Sequence, residues 1–232
     1  MRYTLKLLII LGVSASLNAM SPAEAHARLD CRPTPPKLSV KTTTARTKYV
    51  RTKSAKDLTQ MHGHKRSHSK SSVGGLGGGE IGFKTETRFE ISSLGSKSCV
   101  KLTNVDVTFF AKPEIHIANN FSRSSCEYNA VIAHEQEHIR ILRKFVREYS
   151  PKVKTELQRI ARGVDPAIGP VRESEVKKAQ NSLQKQFTDQ ISAYSKKILK
   201  VLEKRQDAFD SPEEYERVAS KCRKWDEKLF NN

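Results

Sequence analysis

The chain has 232 residues and a mass of 26.2 kDa, room for one domain of ordinary size with helical additions, which excludes a large multidomain enzyme. Lys and Arg number 42 against 25 Asp and Glu, a formal net charge of +17, while hydrophobic residues make up 37% with a single Trp. Such a chain folds around a thin core with little apolar surplus.

Arg2 and Lys6 precede an apolar run from Leu7 to Val13, and small residues follow at Ala23, Ala25 and Ala27. This pattern predicts a secretory signal peptide over residues 1–25, cleaved after Ala25 or Ala27. The run is far short of the ~20 residues that span a bilayer, so no transmembrane helix is expected in the mature protein, which is read as secreted or periplasmic. Cleavage removes Arg2, Lys6 and Glu24, so the basicity belongs to the mature chain.

All four cysteines, Cys31, Cys99, Cys126 and Cys222, lie beyond the cleavage site and read as two disulfides. The expected pairing is Cys99 with Cys126, tying the strand region to the helical region, and Cys31 with Cys222, tying the two ends. No C-x-x-C spacing points to a cysteine zinc site. Asp30 and the distance from the apolar run argue against lipidation at Cys31.

Residues 26–82 are expected to be a flexible basic segment with a short strand and helix, ending in the glycine-rich run Gly74 to Gly79. The strand would be the threonine-rich stretch from Leu38 to Tyr49, and the helix would start at Ser54 with Asp57 three positions on. The stretch 83–232 reads as the main domain, with strands to about 118 and helices from about 125. Phe83, Thr85, Thr87, Phe89 and Ile91 alternate with polar neighbours and predict a half-buried strand. Val100 to Phe109 predicts a second, with Asn104 near a register change, and Ile115/Ile117 a short edge strand after Pro113. Together they suggest a small antiparallel meander.

From Ser125 the period becomes 3.6. Tyr128, Val131, Glu135, His138, Leu142, Phe145 and Tyr149 share one stripe of a helix that Ser150-Pro151 should break or bend, with a second helix to Arg162. A loop from Gly163 to Pro170 leads to a long helix from about Glu173 to Ala208. Ser211, Pro212 and Glu214 form a capping box opening a last helix through Leu229. The fold class is therefore α+β: a small antiparallel sheet, an HExxH helix and a long helical C-terminal region.

The informative segment is His134-Glu135-Gln136-Glu137-His138. On a helix, residues four apart stack one turn above each other, so both imidazoles can face one metal ion. Glu135 projects about 100° round from His134, where a carboxylate can act as general base toward metal-activated water. HExxH arises by chance on the order of once in a hundred such chains. His138 and Glu135 also interrupt an apolar stripe, and burying them without partners costs several kcal/mol. The spacing therefore points to Zn²⁺ on His134 and His138 with Glu135 as the catalytic base.

A catalytic zinc takes a third protein ligand, and no His follows His138, so the third is a carboxylate or an upstream His. Asp210 is the first choice and Glu214 the next, ahead of Glu173, Glu175 and Glu156; both leading residues are also explained as a helix start. Tyr215 could donate to an oxyanion or pack in the core. His62, His64 and His68 read as a solvated linker, and His116 as an exposed strand residue near a possible substrate strand.

The HExxH helix, Cys126 eight residues before its first His, an upstream meander containing Cys99, and Phe209-Asp210 in a helical tail resemble the predicted secreted zinc-dependent proteases of the domain-of-unknown-function 922 family. The likeness spans roughly Tyr49 to Cys222, including Ser54 to Leu58, Gly74 to Gly79, Val105 to Phe109 and Pro113 to Ile117. It implies a zincin-type fold and peptidase activity on a peptide or protein substrate. The family's tail motif carries a His-Gly where this chain has Glu213, Tyr215 and Glu216, so the resemblance bears on the His pair and not on the third ligand.

Lys177, Lys178, Lys196, Lys197, Lys200 and Lys204 lie on the polar side of the long helix, either a solvated face or one drawn to an anionic envelope surface. No nucleic-acid-binding motif is present. The expectation is a monomeric exported zinc metallopeptidase; the alternative is a non-enzymatic basic envelope protein whose metal is structural or absent.

Overall fold

A computed structural model describes residues 29–62, 73–223, 225 and 227. The segment read as a signal peptide, His64 and His68 lie outside them. The elements in chain order are β1 (Lys37–Thr44), β2 (Lys48–Val50), α1 (Ala55–His62), β3 (Gly75–Leu94), β4 (Lys97–Ile117), α2 (Cys126–Gly163), β5 (Ala167–Arg172), α3 (Val176–Asp207) and α4 (Pro212–Ala219).

The five strands form one sheet organised around β4. β3 pairs with it antiparallel along its whole length, through the turn at Gly95. The other edge of β4 is tiled end to end by β5, antiparallel at Lys97 to Lys101, β1, parallel at Asn104 to Ala111, and β2, parallel at Glu114 to His116. The sheet is therefore mixed, and the parallel pairing of β1 and β2 overturns the expected antiparallel meander. Parallel partners come from distant sequence, and no local alternation reveals them.

Pro113 does not end a strand, as its lack of an N–H suggested. β1 pairing stops at Ala111 and β2 pairing resumes at Glu114, so Pro113 falls in a gap where no donor is needed on that side. Opposite it, Gly79 has φ +121°, and a Cβ there would lie 2.1 Å from the Lys112 carbonyl. β4 thus runs unbroken as the central strand, and His116 is not at an edge. The register shift falls opposite Arg88 and Phe89, beside Asn104 as the sequence suggested.

The segment before Phe83 is also part of the sheet and not a flexible leader: β1 and β2 lie within it, and β3 already begins at Gly75. Ser54 and Asp57 cap α1 reciprocally, Ser54 N–H donating to Asp57 at 2.9 Å and Asp57 N–H to Ser54 Oγ at 3.2 Å. Leu58 on α1 is fully buried.

α2 is one helix of 38 residues, capped by the Ser125 side chain on Tyr128 N–H. Pro151 does not interrupt it. Its exposed position leaves the Arg147 carbonyl, which it cannot serve, open to water. α2 and α3 lie on one face of the sheet and enclose the main core, in which Leu102, Phe109, Phe145, Leu157, Leu183 and Phe187 are buried. Phe145→Ala is expected to destabilise the protein by about 3–5 kcal/mol, read as a lower denaturant midpoint with an unchanged slope. A smaller cluster, including Ile115, Ile117, Phe121, Val131 and Ile139, lies under the first turns of α2.

The two disulfides are Cys31–Cys99 and Cys126–Cys222, not the expected Cys99–Cys126 and Cys31–Cys222. Cys99 sits at the far end of β4 from Ile117, beyond reach of the start of α2. Bonded to Cys99, the Cys31 sulfur is also not available for a lipid thioether. Two disulfides fit an oxidising compartment. Among the described residues, no helix is long and apolar enough to cross a membrane. The last helix, expected through Leu229, ends as α4 at Ala219; Trp225 and Glu227 are helical again, and Leu229 lies outside the described residues.

Candidate metal centre

His134, Glu135 and His138 lie on the buried face of α2, at 6%, 5% and 5% exposure, and could together hold a metal ion. The two rings meet edge to face with centroids 4.9 Å apart, and their Nε2 atoms are 3.2 Å apart. The turn between α3 and α4 brings a third group. Asp210 Oδ1 is 3.3 Å from His134 Nε2 and 2.9 Å from His138 Nε2.

The outer nitrogens decide which atoms carry lone pairs. His134 Nδ1 is 3.1 Å from Glu214 Oε1, and His138 Nδ1 is 2.5 Å from Gln206 Oε1. Gln206 Nε2 also donates to the His138 carbonyl at 3.2 Å, which fixes its amide so that the oxygen faces the ring. Both Nδ1 atoms therefore donate outward, and both Nε2 atoms turn lone pairs toward Asp210. With both rings neutral in these tautomers, Asp210 Oδ1 is buried without a hydrogen-bond donor despite its short distances to them. Three acceptors converging in a dry space repel one another unless a cation sits among them. A tetrahedral ion with bonds of about 2.1 Å separates its ligand atoms by about 3.4 Å, close to the two longer sides of this triangle.

Glu135 is nearby without belonging to the triangle. Its carboxylate lies within 4.8 Å of both imidazoles, farther than Asp210, and receives the Gly77 N–H. The glycines of β3 let the strand pass this close. A Cβ on Gly75 would be 2.7 Å from Glu135 Oε1, and one on Gly77 2.6 Å from the Glu135 carbonyl and 2.8 Å from Oε2. The glycine run is thus shaped by contact with the helix, where composition alone had suggested a flexible loop.

Electrostatics follow from burial and pairing. Burial pushes Glu135 up to about 7, against the pull of His138, His134 and the Gly77 N–H. Burial opposes charge on His138, but the Asp210 hydrogen bond, the charge of Glu135 and the Gln206 bond outweigh it and raise the ring to about 9. His134 is raised for similar reasons, its burial outweighed by Asp210, Glu135 and Glu214. Asp210 is held well below the usual carboxylate range because both histidine bonds outweigh its burial. Without metal, a proton takes the cation's place.

In the metal-free protein, Glu135 and His138 are raised above their unfolded values, so the native state holds more protons than the unfolded chain from about pH 5 to 9. Stability from these two groups is present at the lower pH and lost as pH rises through about 7 and 9. Asp210 acts oppositely, but only in the acid range, where its contribution is lost as pH falls. The melting temperature of chelator-treated protein is therefore expected to fall from pH 6 to pH 9, and saturation with zinc to flatten that slope.

Phe209 stacks on His134 at 4.9 Å and meets His138 edge-on at 5.2 Å, closing the site from the α3–α4 turn. Tyr215 lies against His134 at 5.8 Å and is 38% exposed, so it is not a core residue. Glu214 is held by two contacts from Arg217 and by His134, which bring it down to about 2. Glu156 pairs with Arg159 and Glu175 with Arg172, and neither is a partner of the histidines; Glu173 opens the helical turn before α3. His116 contacts Glu114 on β4. Gln206, four residues before Asp210, was not foreseen.

No family model, curated protein or solved structure matches the chain.

Proposed function

We propose that this protein is an exported zinc-dependent hydrolase acting on peptide bonds. The convergence of His134 Nε2, His138 Nε2 and Asp210 Oδ1 beside the Glu135 carboxylate supports this reading. His134, His138 and Asp210 are the ligands, while Glu214 and Gln206 fix the tautomers of the two imidazoles. Zinc, when bound, supplies Lewis acidity that polarises a carbonyl and acidifies water.

Glu135 then handles the proton. Its carboxylate accepts one from the attacking water as the hydroxyl adds to the carbonyl carbon, and delivers it to the nitrogen as the C–N bond breaks. Water is consumed, and a carboxylic acid and an amine are released. An extended peptide has a place to lie: the edge of β3 facing away from β4 has no strand partner among the described residues, and its glycines pass beside Glu135.

The test is Glu135→Gln, which keeps size and burial but cannot accept the proton. Hydrolysis of a mixed peptide library is expected to fall at least about a hundredfold with zinc still near one per chain. Undiminished hydrolysis would remove Glu135 from the mechanism, and a parent chain that binds zinc without hydrolysing peptides would favour a structural metal.

A further inference from the structure

Two helices, α2 and α3, each present a cationic outer side. From Arg140 to its end, α2 carries eight cations against two carboxylates, Glu148 and Glu156. Those carboxylates are committed to Arg205 and Arg159. At 100° per residue, Lys144, Arg147, Lys154 and Arg162 fall on one exposed ridge about 27 Å long, opposite Leu142, Phe145, Val153 and Leu157.

α3 repeats the arrangement with Lys178, Lys196 and Lys200 exposed opposite Leu183, Phe187 and Ile198. Asp189, Glu203 and Asp207 share its outer side, so α2 is the more cationic half. Both helices pack on the same face of the sheet and run antiparallel, as the contact of Glu148 with Arg205 and the approach of Lys197 to Glu156 show. Their ridges therefore form a flat double row directed away from the sheet. Helix axes pack about 8–10 Å apart, so the two ridges lie side by side as one surface and not as a single line of charge.

We infer that this outer face of α2 and α3 docks on an anionic phospholipid bilayer. A planar array of negative headgroups engages both ridges at once. Among the described residues the exposed large apolar side chains are Tyr49, Met61, Ile91, Leu94 and Tyr215, none of them on α2 or α3, so docking is electrostatic, without insertion. His134, Glu135 and His138 project from the opposite, buried face of α2, so the docked protein keeps its metal centre turned from the lipid. The inference does not depend on the hydrolase reading.

The test is co-sedimentation of the chain from residue 26 onward, which contains every described element, with phosphatidylglycerol/phosphatidylcholine vesicles and with pure phosphatidylcholine vesicles. Binding is expected only to the anionic vesicles and is lost near 1 M salt, where the Debye length is about 3 Å. The triple variant Lys144→Glu, Arg147→Glu, Lys154→Glu is expected to bind at least about a hundredfold more weakly at an unchanged melting temperature. Lys37→Glu, Lys41→Glu, Lys112→Glu makes the same change in net charge from exposed strand positions and should retain most of the binding. Equal loss in both triples, binding to neutral vesicles, or capture by soluble polyphosphate without vesicle binding would each overturn the inference.

Discussion

The Asp210→Ala variant is expected to bind zinc several-hundredfold more weakly than the parent chain while keeping its fold. Structural zinc sites with four protein ligands are worth about 10–16 kcal/mol, so one ligand accounts for about 3–4 kcal/mol, a few hundredfold in affinity. Asp210 is in the turn after α3, and its Oδ1 is the atom that faces both Nε2 lone pairs. Glu214 approaches the other side of His134 and is already occupied by Arg217, so Glu214→Ala should cost only about ten- to a hundredfold by loosening the ring. Competition with a chromophoric chelator separates the two. A larger loss in Glu214→Ala than in Asp210→Ala would exchange their roles.

Features carried by short-range rules were legible in the sequence. HExxH places two imidazoles on one helical turn because only local periodicity is involved, and the Ser211 side chain caps α4 on Glu214 N–H; the reciprocal half of the expected capping box is not made, since the Glu214 carboxylate lies on His134 and Arg217. The alternation in β3 and the apolar stripe of α3 follow the same logic, with Phe83 packed on Phe109 and Leu183, Phe187 and Ile191 buried. What failed depends on neighbours distant in sequence. Pro113 and the glycines from Gly74 read as breakers because their acceptability rests on the gap between β1 and β2 and on the close approach of α2. Four cysteines allow three pairings, and only the relative placement of β4 and α2 selects one.

The candidate site shows the same division. The sequence contains the His pair and the adjacent Glu135, and it puts Asp210 and Glu214 first among five carboxylates for a third position. It does not contain Gln206, because a glutamine at a helix end has no local signature, and its contact with His138 is created by the antiparallel packing of α3 on α2. The role of Gly77 is equally remote, since its N–H and its missing Cβ matter only once β3 lies across Glu135.

Removing the Cys126–Cys222 bond is expected to weaken zinc binding roughly ten- to a hundredfold, because that bond holds the segment carrying Asp210 and Glu214 against α2. α4 has 8 residues, fewer than the ~12–15 at which an isolated helix becomes even marginally stable, so its position depends on tertiary contacts. Among the described residues those contacts include a small cluster of Ala130, Val218 and Cys222 with Trp225 against it, the Glu214 contact with His134, and the Tyr215 ring beside His134. The disulfide closes a loop of 96 residues and fixes the end of α4 at the first residue of α2, two turns before His134. Cys126→Ala/Cys222→Ala should therefore lose affinity together with about 2–5 kcal/mol of stability. Cys31→Ala/Cys99→Ala should lose stability alone, since that bond anchors the N-terminal segment at the opposite end of β4. Zinc titrations of both double variants, at temperatures where each is folded, provide the comparison; equal affinities would show that packing without the bond suffices to hold the third ligand.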